Sequence, residues 1–331
     1  MKRLISTLAV VALSAGWTVS AQAAAKVMRC SHQLPPAHHV AKIIDRWAKE
    51  VDKLSDGDLK VQIFPAGSLV KAKGNILAVA KGDIECAFSV NFQWGKTLPL
   101  MNVTLAPYSM SSLDAWRKWP HSEAADFLAK KLLAKGVRNV VWLFQTNSSV
   151  YTSNRKPLIK PADFKGIKIR GLGHPFDNSL AALGAVPTSL PGSEVYQALA
   201  TGVIDAGLTG TDAAYARKYY EVQKYMTVTP VLSVYFHGYV NPSFYNALSD
   251  KAKAALKKAG DEAAAWAVDE AQKAIAAAPA KLKAKGVTLH TATASEDAEF
   301  KAIMRPAFDK AFAKQTGADG KKLLGLVDKL Q

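Results

Sequence analysis

The chain of 331 residues is poor in cysteine, in acidic side chains and in long apolar runs. Its two cysteines, Cys30 and Cys86, exclude a small disulfide-stapled scaffold and are too few for a cysteine-built metal centre. Only 27 Asp and Glu stand against 43 Lys and Arg, a formal net charge of +16. That balance invites an anionic partner: nucleic acid, a membrane or small anions. With hydrophobic residues at 49% and charged residues at 21%, neither wholesale disorder nor a multi-span membrane protein fits, and the length suits about two domains.

The apolar run that stands out, Leu4 to Trp17, follows Lys2 and Arg3 and precedes Ala21-Gln22-Ala23, the small-x-small pattern that a signal peptidase reads. Residues 1–23 are therefore expected to be a secretory signal peptide. An uncleaved anchor is the alternative, since Leu4 to Ala25 carries no charge; a lipid anchor is not, for want of a cysteine there. Cleavage after Ala23 removes Lys2 and Arg3 and lowers the net charge to +14. In an oxidising compartment Cys30 and Cys86 have the option of pairing, but each sits in a strand-like run and reads as a buried free thiol.

Chemistry-bearing motifs are also missing. There is no phosphate-cradling glycine loop, no H-E-x-x-H and no G-x-S-x-G. Gly171-Leu172-Gly173-His174-Pro175-Phe176 opens like a dinucleotide fingerprint but has Phe where the third Gly belongs. His38-His39 lacks metal-ligand spacing and a third partner, and reads as the start of a helix. No cofactor and no catalytic residue is expected. An exported enzyme using His174 or His237 as acid or base is the alternative function, without a nucleophile–base pair to support it. Basic pairs such as Lys130-Lys131, Lys257-Lys258 and Lys321-Lys322 are scattered, so no nucleic-acid surface is expected.

What is present is an alternation of strand and helix signals. A strand at 26–31 leads to a helix from His38 to Leu54, whose Val40, Ile43, Ile44, Trp47, Val51 and Leu54 share one face and which Ser55-Asp56-Gly57 stops. Leu59, Val61 and Ile63 alternate with polar residues as a second strand; a helical stretch at 69–81 and the run Ile84–Val90 follow. After a helical region at 112–135 and a strand Val137–Phe144, the polar segment Gln145–Ser149 reads as a domain crossing. A second series holds strands at Gly166–Arg170 and Val203–Gly207 with helices at 175–183 and 193–200. Thr227–Val240, interrupted by Pro230, reads as a second crossing. Ser249–Lys285 reads as one long helix that Pro279 should kink or end, before a short strand at Val287–Thr291 and terminal helices. Two α/β units joined by repeated crossings enclose a cleft, a preferred place for a ligand.

Several motifs stand in register: Phe64-Pro65-Ala66-Gly67-Ser68-Leu69, Lys81-Gly82-Asp83-Ile84-Glu85, Thr152-Ser153-Asn154-Arg155, Pro161-Ala162-Asp163-Phe164-Lys165-Gly166-Ile167-Lys168-Ile169-Arg170, Ser193-Glu194-Val195-Tyr196-Gln197-Ala198-Leu199, Thr201-Gly202-Val203-Ile204-Asp205 and Tyr220-Glu221-Val222-Gln223-Lys224-Tyr225. In order and spacing, from about residue 26 to 315, they resemble the extracytoplasmic solute receptors of tripartite ATP-independent periplasmic (TRAP) transporters, of the dicarboxylate-receptor type. The resemblance implies an α/β, two-lobed periplasmic binding protein with discontinuous domains, hinge strands and a long bracing helix. The lobes it implies are 24–146 plus 232–275 and 147–231 plus 276–331. It also implies delivery of a small organic acid to membrane permease subunits driven by an ion gradient, from a receptor that does not itself span the membrane.

By the resemblance, the Arg ending the Gly-x-Lys-x-Arg strand, Arg170, holds the ligand carboxylate; a guanidinium fork matches a carboxylate with two parallel charge-assisted bonds. Further walls are expected from His32, Gln33, Asn91, Phe92, Trp94, Asn147, Ser149, Tyr151, His174, Phe176, Thr209, Tyr235, Phe236 and His237. Many sugar-acid-binding members carry a second Arg where this chain has Ser149, an aromatic where it has Gly192 and an Asn where it has Thr209. The pocket is thus expected to lose charge and to favour a small monocarboxylate with an apolar or aromatic body.

Overall fold

The computed structural model describes residues 25–330, so the expected signal peptide at 1–23 lies outside the described residues. Among the described residues the strands are β1 (Lys26–His32), β2 (Leu59–Phe64), β3 (Cys86–Val90), β4 (Arg138–Thr146), β5 (Ser149–Ser153), β6 (Lys168–Gly171), β7 (Val186–Ser189), β8 (Leu208–Gly210), β9 (Tyr225–Thr229), β10 (Val234–Val240) and β11 (Thr288–Thr291). A five-stranded sheet runs β2-β1-β3-β10-β4, and a four-stranded sheet β11-β9-β5-β8. The parallel pair β6-β7 is tied in by a single bridge between Ile169 and Ala206. Each large sheet anchors one lobe of a two-lobed α/β molecule.

The helix His39–Leu54 shows how sequence becomes element. His38 Nδ1 accepts the Val40 N–H and so satisfies one of the orphan donors at its start. Val40, Ile43, Ile44, Trp47 and Val51 are buried on one face. The chain then leaves the helix through left-handed residues at Asp56 (φ 54°) and Gly57 (φ 84°).

Three segments join the lobes. Thr146 ends β4 in the first sheet and Ser149 begins β5 in the second; Thr229 ends β9 in the second and Val234 begins β10 in the first. The third is the helix Asp250–Lys283, about 50 Å long at ~1.5 Å per residue. It packs on β4 and the helix His39–Leu54, and then on the helix Thr211–Ala216 and β11. The closing helical stretch Ala294–Asp328, broken at Gly317, packs on both the Phe176–Ala182 helix and the Pro99–Leu105 segment. Among the described residues no helix is long and apolar enough to cross a membrane.

The expected elements differ from the observed ones at several places. The stretch 69–81 is helical only over Asn75–Lys81. The region 112–135 splits into Leu113–Lys118 and Glu123–Leu133, because Pro120 interrupts and Ser112 and Ser122 each cap a new start. Val203–Gly207 forms no strand; only Ala206 makes a bridge, and the ladder begins at Leu208. Pro279 does not end the long helix, which continues to Lys283 with Ala278 and Leu282 packed on either side. Cys30 and Cys86 lie opposite each other on β1 and β3 as free thiols, wholly buried.

Candidate functional site

A narrow cleft lies between the lobes next to the crossing segments. From the first lobe it is lined by Gln33 after β1, Val90 and Phe92 at the end of β3, and Val234 and Phe236 on β10. Gln145 and Leu232 line it at the crossings. The second lobe contributes Arg170, Leu172, Gly192, Leu208, Thr209, Gly210 and Arg217.

Arg170 sits near the end of β6, 2% exposed. Its Nε donates to the Leu190 carbonyl at 3.1 Å and its Nη1 to the Leu208 carbonyl at 2.7 Å. Its guanidinium carbon lies 5.4 Å from the centre of the Phe92 ring, across the cleft. Burial, with Arg217 nearby, pulls the guanidinium down to about 10, which leaves it charged near neutrality. Among the described residues it has no carboxylate within ion-pair distance. A buried cation held only by carbonyls is a binding group for an anion.

Arg217 was not anticipated. It follows the short helix Thr211–Ala216 and donates from Nη1 to Thr209 Oγ1 at 3.0 Å. A side chain at Gly192 would collide with it: a Cβ there would sit 2.7 Å from Arg217 Nη2 and 2.8 Å from Cζ. The absence of an aromatic at 192 therefore makes room for a second guanidinium. The pocket does not lose charge as expected; the cation comes from a different position.

Of the residues expected to form walls, Arg170, Gln33, Phe92, Thr209 and Phe236 line the cleft. The structure places the others elsewhere. Tyr235 and His237 alternate with Val234 and Phe236 on β10, so the pleat turns them to the opposite face. There Tyr235 packs against Trp116, Trp119 and Trp142, and His237 Nδ1 meets Asn139 Oδ1 at 2.9 Å. Trp94 is buried against His237 and Tyr239. Asn91 donates to Thr104 Oγ1 at 3.1 Å, and Asn147 donates to the Ser111 carbonyl at 2.6 Å. His32 Nδ1 accepts the Leu34 N–H at 3.2 Å. Ser149 is buried on β5; Tyr151 packs with Phe164 and Phe300; Phe176 is wholly buried. His174 is exposed and meets Gln315 Oε1 at 3.1 Å.

Beside the cleft, Asp212 approaches His38 and His39 from the other lobe, at 3.6 Å from His38 Nε2 and 3.2 Å from His39 Nδ1. The histidine pair thus gains a third partner that sequence spacing did not reveal. A second cross-lobe ion pair joins Lys73 to Glu194 at 2.9 Å.

Residues 30–315 match the model of the DctP family, described as bacterial extracellular solute-binding protein, family 7. The chain belongs to this family. The C4-dicarboxylate-binding periplasmic protein DctP of Rhodobacter capsulatus is 31% identical over 93% of this chain and 92% of its own length. The 2,3-diketo-L-gulonate-binding periplasmic protein YiaO of Escherichia coli is 29% identical over 70% of each chain. A TRAP periplasmic solute-binding protein of Sulfurospirillum deleyianum, solved with bound succinate, superposes with a TM-score of 0.83 at 25% identity, over 92% of this chain and 99% of the other. A Bordetella pertussis extracytoplasmic solute receptor binding pyroglutamic acid gives a TM-score of 0.85 at 24% identity, over 92% and 100%. The family and these neighbours are solute receptors, and so is this chain.

Proposed function

We propose that this receptor works in the periplasm, captures a small organic acid anion by closing its cleft and hands it to TRAP permease subunits in the membrane. The observation that carries the reading is Arg170, a buried guanidinium lining the interlobe cleft and held only by backbone carbonyls. The ligand carboxylate takes the remaining donor edge of that fork, and an apolar body lies against Phe92 and Phe236. A monocarboxylate fits those walls; a second oxygen acceptor on the same ligand meets Arg217. The acids named for its structural neighbours are small carboxylates of both kinds, pyroglutamate with one carboxylate and succinate with two.

The test is a thermal-shift panel of short dicarboxylates, oxo acids, pyroglutamate, aromatic carboxylates and uronic acids on the purified protein. A ligand at about a hundred times its Kd should stabilise the fold by roughly 2.7 kcal/mol. Arg170→Met should abolish that gain while the unliganded protein still folds, since an apolar replacement removes a buried cation. The proposal fails if no carboxylate stabilises the protein, or if Arg170→Met binds as wild type does.

A further inference from the structure

We propose that His38, His39 and Asp212 form a divalent-metal site that clips the two lobes together in the closed receptor, with zinc as the ion its donors suit. The histidines stand at the start of the first-lobe helix His39–Leu54, and Asp212 in the first turn of the second-lobe helix Thr211–Ala216. One donor atom from each lies within 4.8 Å of the other two, and the two distances to Asp212 Oδ2 are 3.6 and 3.2 Å. A tetrahedral zinc bound at ~2.0–2.1 Å sets neighbouring donors about 3.3–3.5 Å apart. The cluster is already close to that spacing.

The second observation is a concentration of unpaired polar atoms. At the site His38 Nε2 and both Asp212 carboxylate oxygens are buried without a hydrogen-bond partner, and the His38 and Asp212 side chains are only 0% and 5% exposed. Buried polar atoms are rarely left so, and one cation between the rings and the carboxylate would engage three of the residues at once. His39 and Asp212 also border a groove with Lys42, Trp266 and Lys281, which gives the ion a route in and a water its fourth position. Two imidazoles and one carboxylate suit zinc or ferrous iron better than calcium or magnesium, and zinc stays divalent in an oxidising compartment.

One local bond opposes the site. His38 Nδ1 accepts the Val40 N–H at 3.2 Å, which leaves the ring proton on Nε2. Metal binding at Nε2 moves that proton to Nδ1 and gives up this capping bond in exchange for a ligand bond. Because the donors come from both lobes, the ion binds the closed form. Metal and organic acid then favour the same state, and each raises the other's affinity by the same factor.

The test uses Zn²⁺ alone on the purified, chelator-stripped protein, read by titration calorimetry and small-angle scattering. One ion per chain should bind, with a smaller radius of gyration in the loaded form. Asp212→Asn and His39→Gln should each weaken binding by at least about a hundredfold and cancel the compaction. His121→Gln, on an exposed histidine elsewhere, should change neither. Melting curves of the metal-free variants establish that they fold. Absence of stoichiometric binding overturns the proposal, and so does binding that survives both substitutions, which places the ion on other histidines.

Discussion

His237 is wholly buried, and burial lowers its imidazole to about 3; His32, also buried, is lowered to about 4. Both are neutral in the folded receptor at any pH where it works, so neither serves as a cationic anion donor. The cost appears on acidification. The unfolded chain takes up protons at the ordinary imidazole value near 6.5 while the folded chain does not, so stability is full above about pH 6.5 and is lost as pH falls toward the folded values. Each group contributes about 1.4 kcal/mol per pH unit in that window. Between pH 6.5 and 5 these two groups should therefore contribute a loss on the order of 3 kcal/mol in urea unfolding, and buried His38, lowered for the same reason, adds in the same direction. His32→Gln should flatten the slope, and a pH-independent midpoint would refute neutral burial. At this scale Arg170 could be expected in the cleft only through the family resemblance that its Gly-x-Lys-x-Arg strand carries. Arg217 could not, because its approach depends on the missing side chain of Gly192, which only the folded chain brings beside it.

Elements were legible where one periodicity governed. The apolar face of His39–Leu54 and the alternation in β2 could be read off directly. Strand β10 could be placed, but its face could not be chosen: both faces carry large residues, so Phe236 reaches the cleft while Tyr235 and His237 join the aromatic core. The long helix was legible from its alanine-rich composition, and its closest contact explains one residue. At Gly260 a Cβ would press into the Val140 carbonyl oxygen on β4. Two effects compete in Gly260→Ala: helix propensity gains about 1 kcal/mol, and overpacking against a backbone that cannot swing aside costs about 1–3 kcal/mol or more. Because the obstacle is backbone, the substitution should destabilise by about 1–2 kcal/mol net in urea unfolding. A stabilised variant would show that the helix can lift off the sheet.

At the scale of the molecule, the two α/β units and their crossings were visible in the alternation of strand and helix signals. The contacts that close the cleft were not, because Lys73 with Glu194, and His39 with Asp212, are remote in sequence and meet only across it. Those contacts and the shared helices bear on whether the lobes can unfold separately. The helix Asp250–Lys283 packs on β4 in one lobe and β11 in the other, and the final helical stretch also packs on both. Losing either sheet would therefore expose apolar faces of elements that the other sheet still needs. The chain offers a natural test, since Trp47, Trp94, Trp116, Trp119 and Trp142 all report on the first lobe while far-UV circular dichroism reports on both. Tryptophan emission and ellipticity should give coincident urea transitions, as a single cooperative unit requires. Two separated midpoints, with tryptophan following only one, would mean that the bracing helices are docked too loosely to couple the lobes.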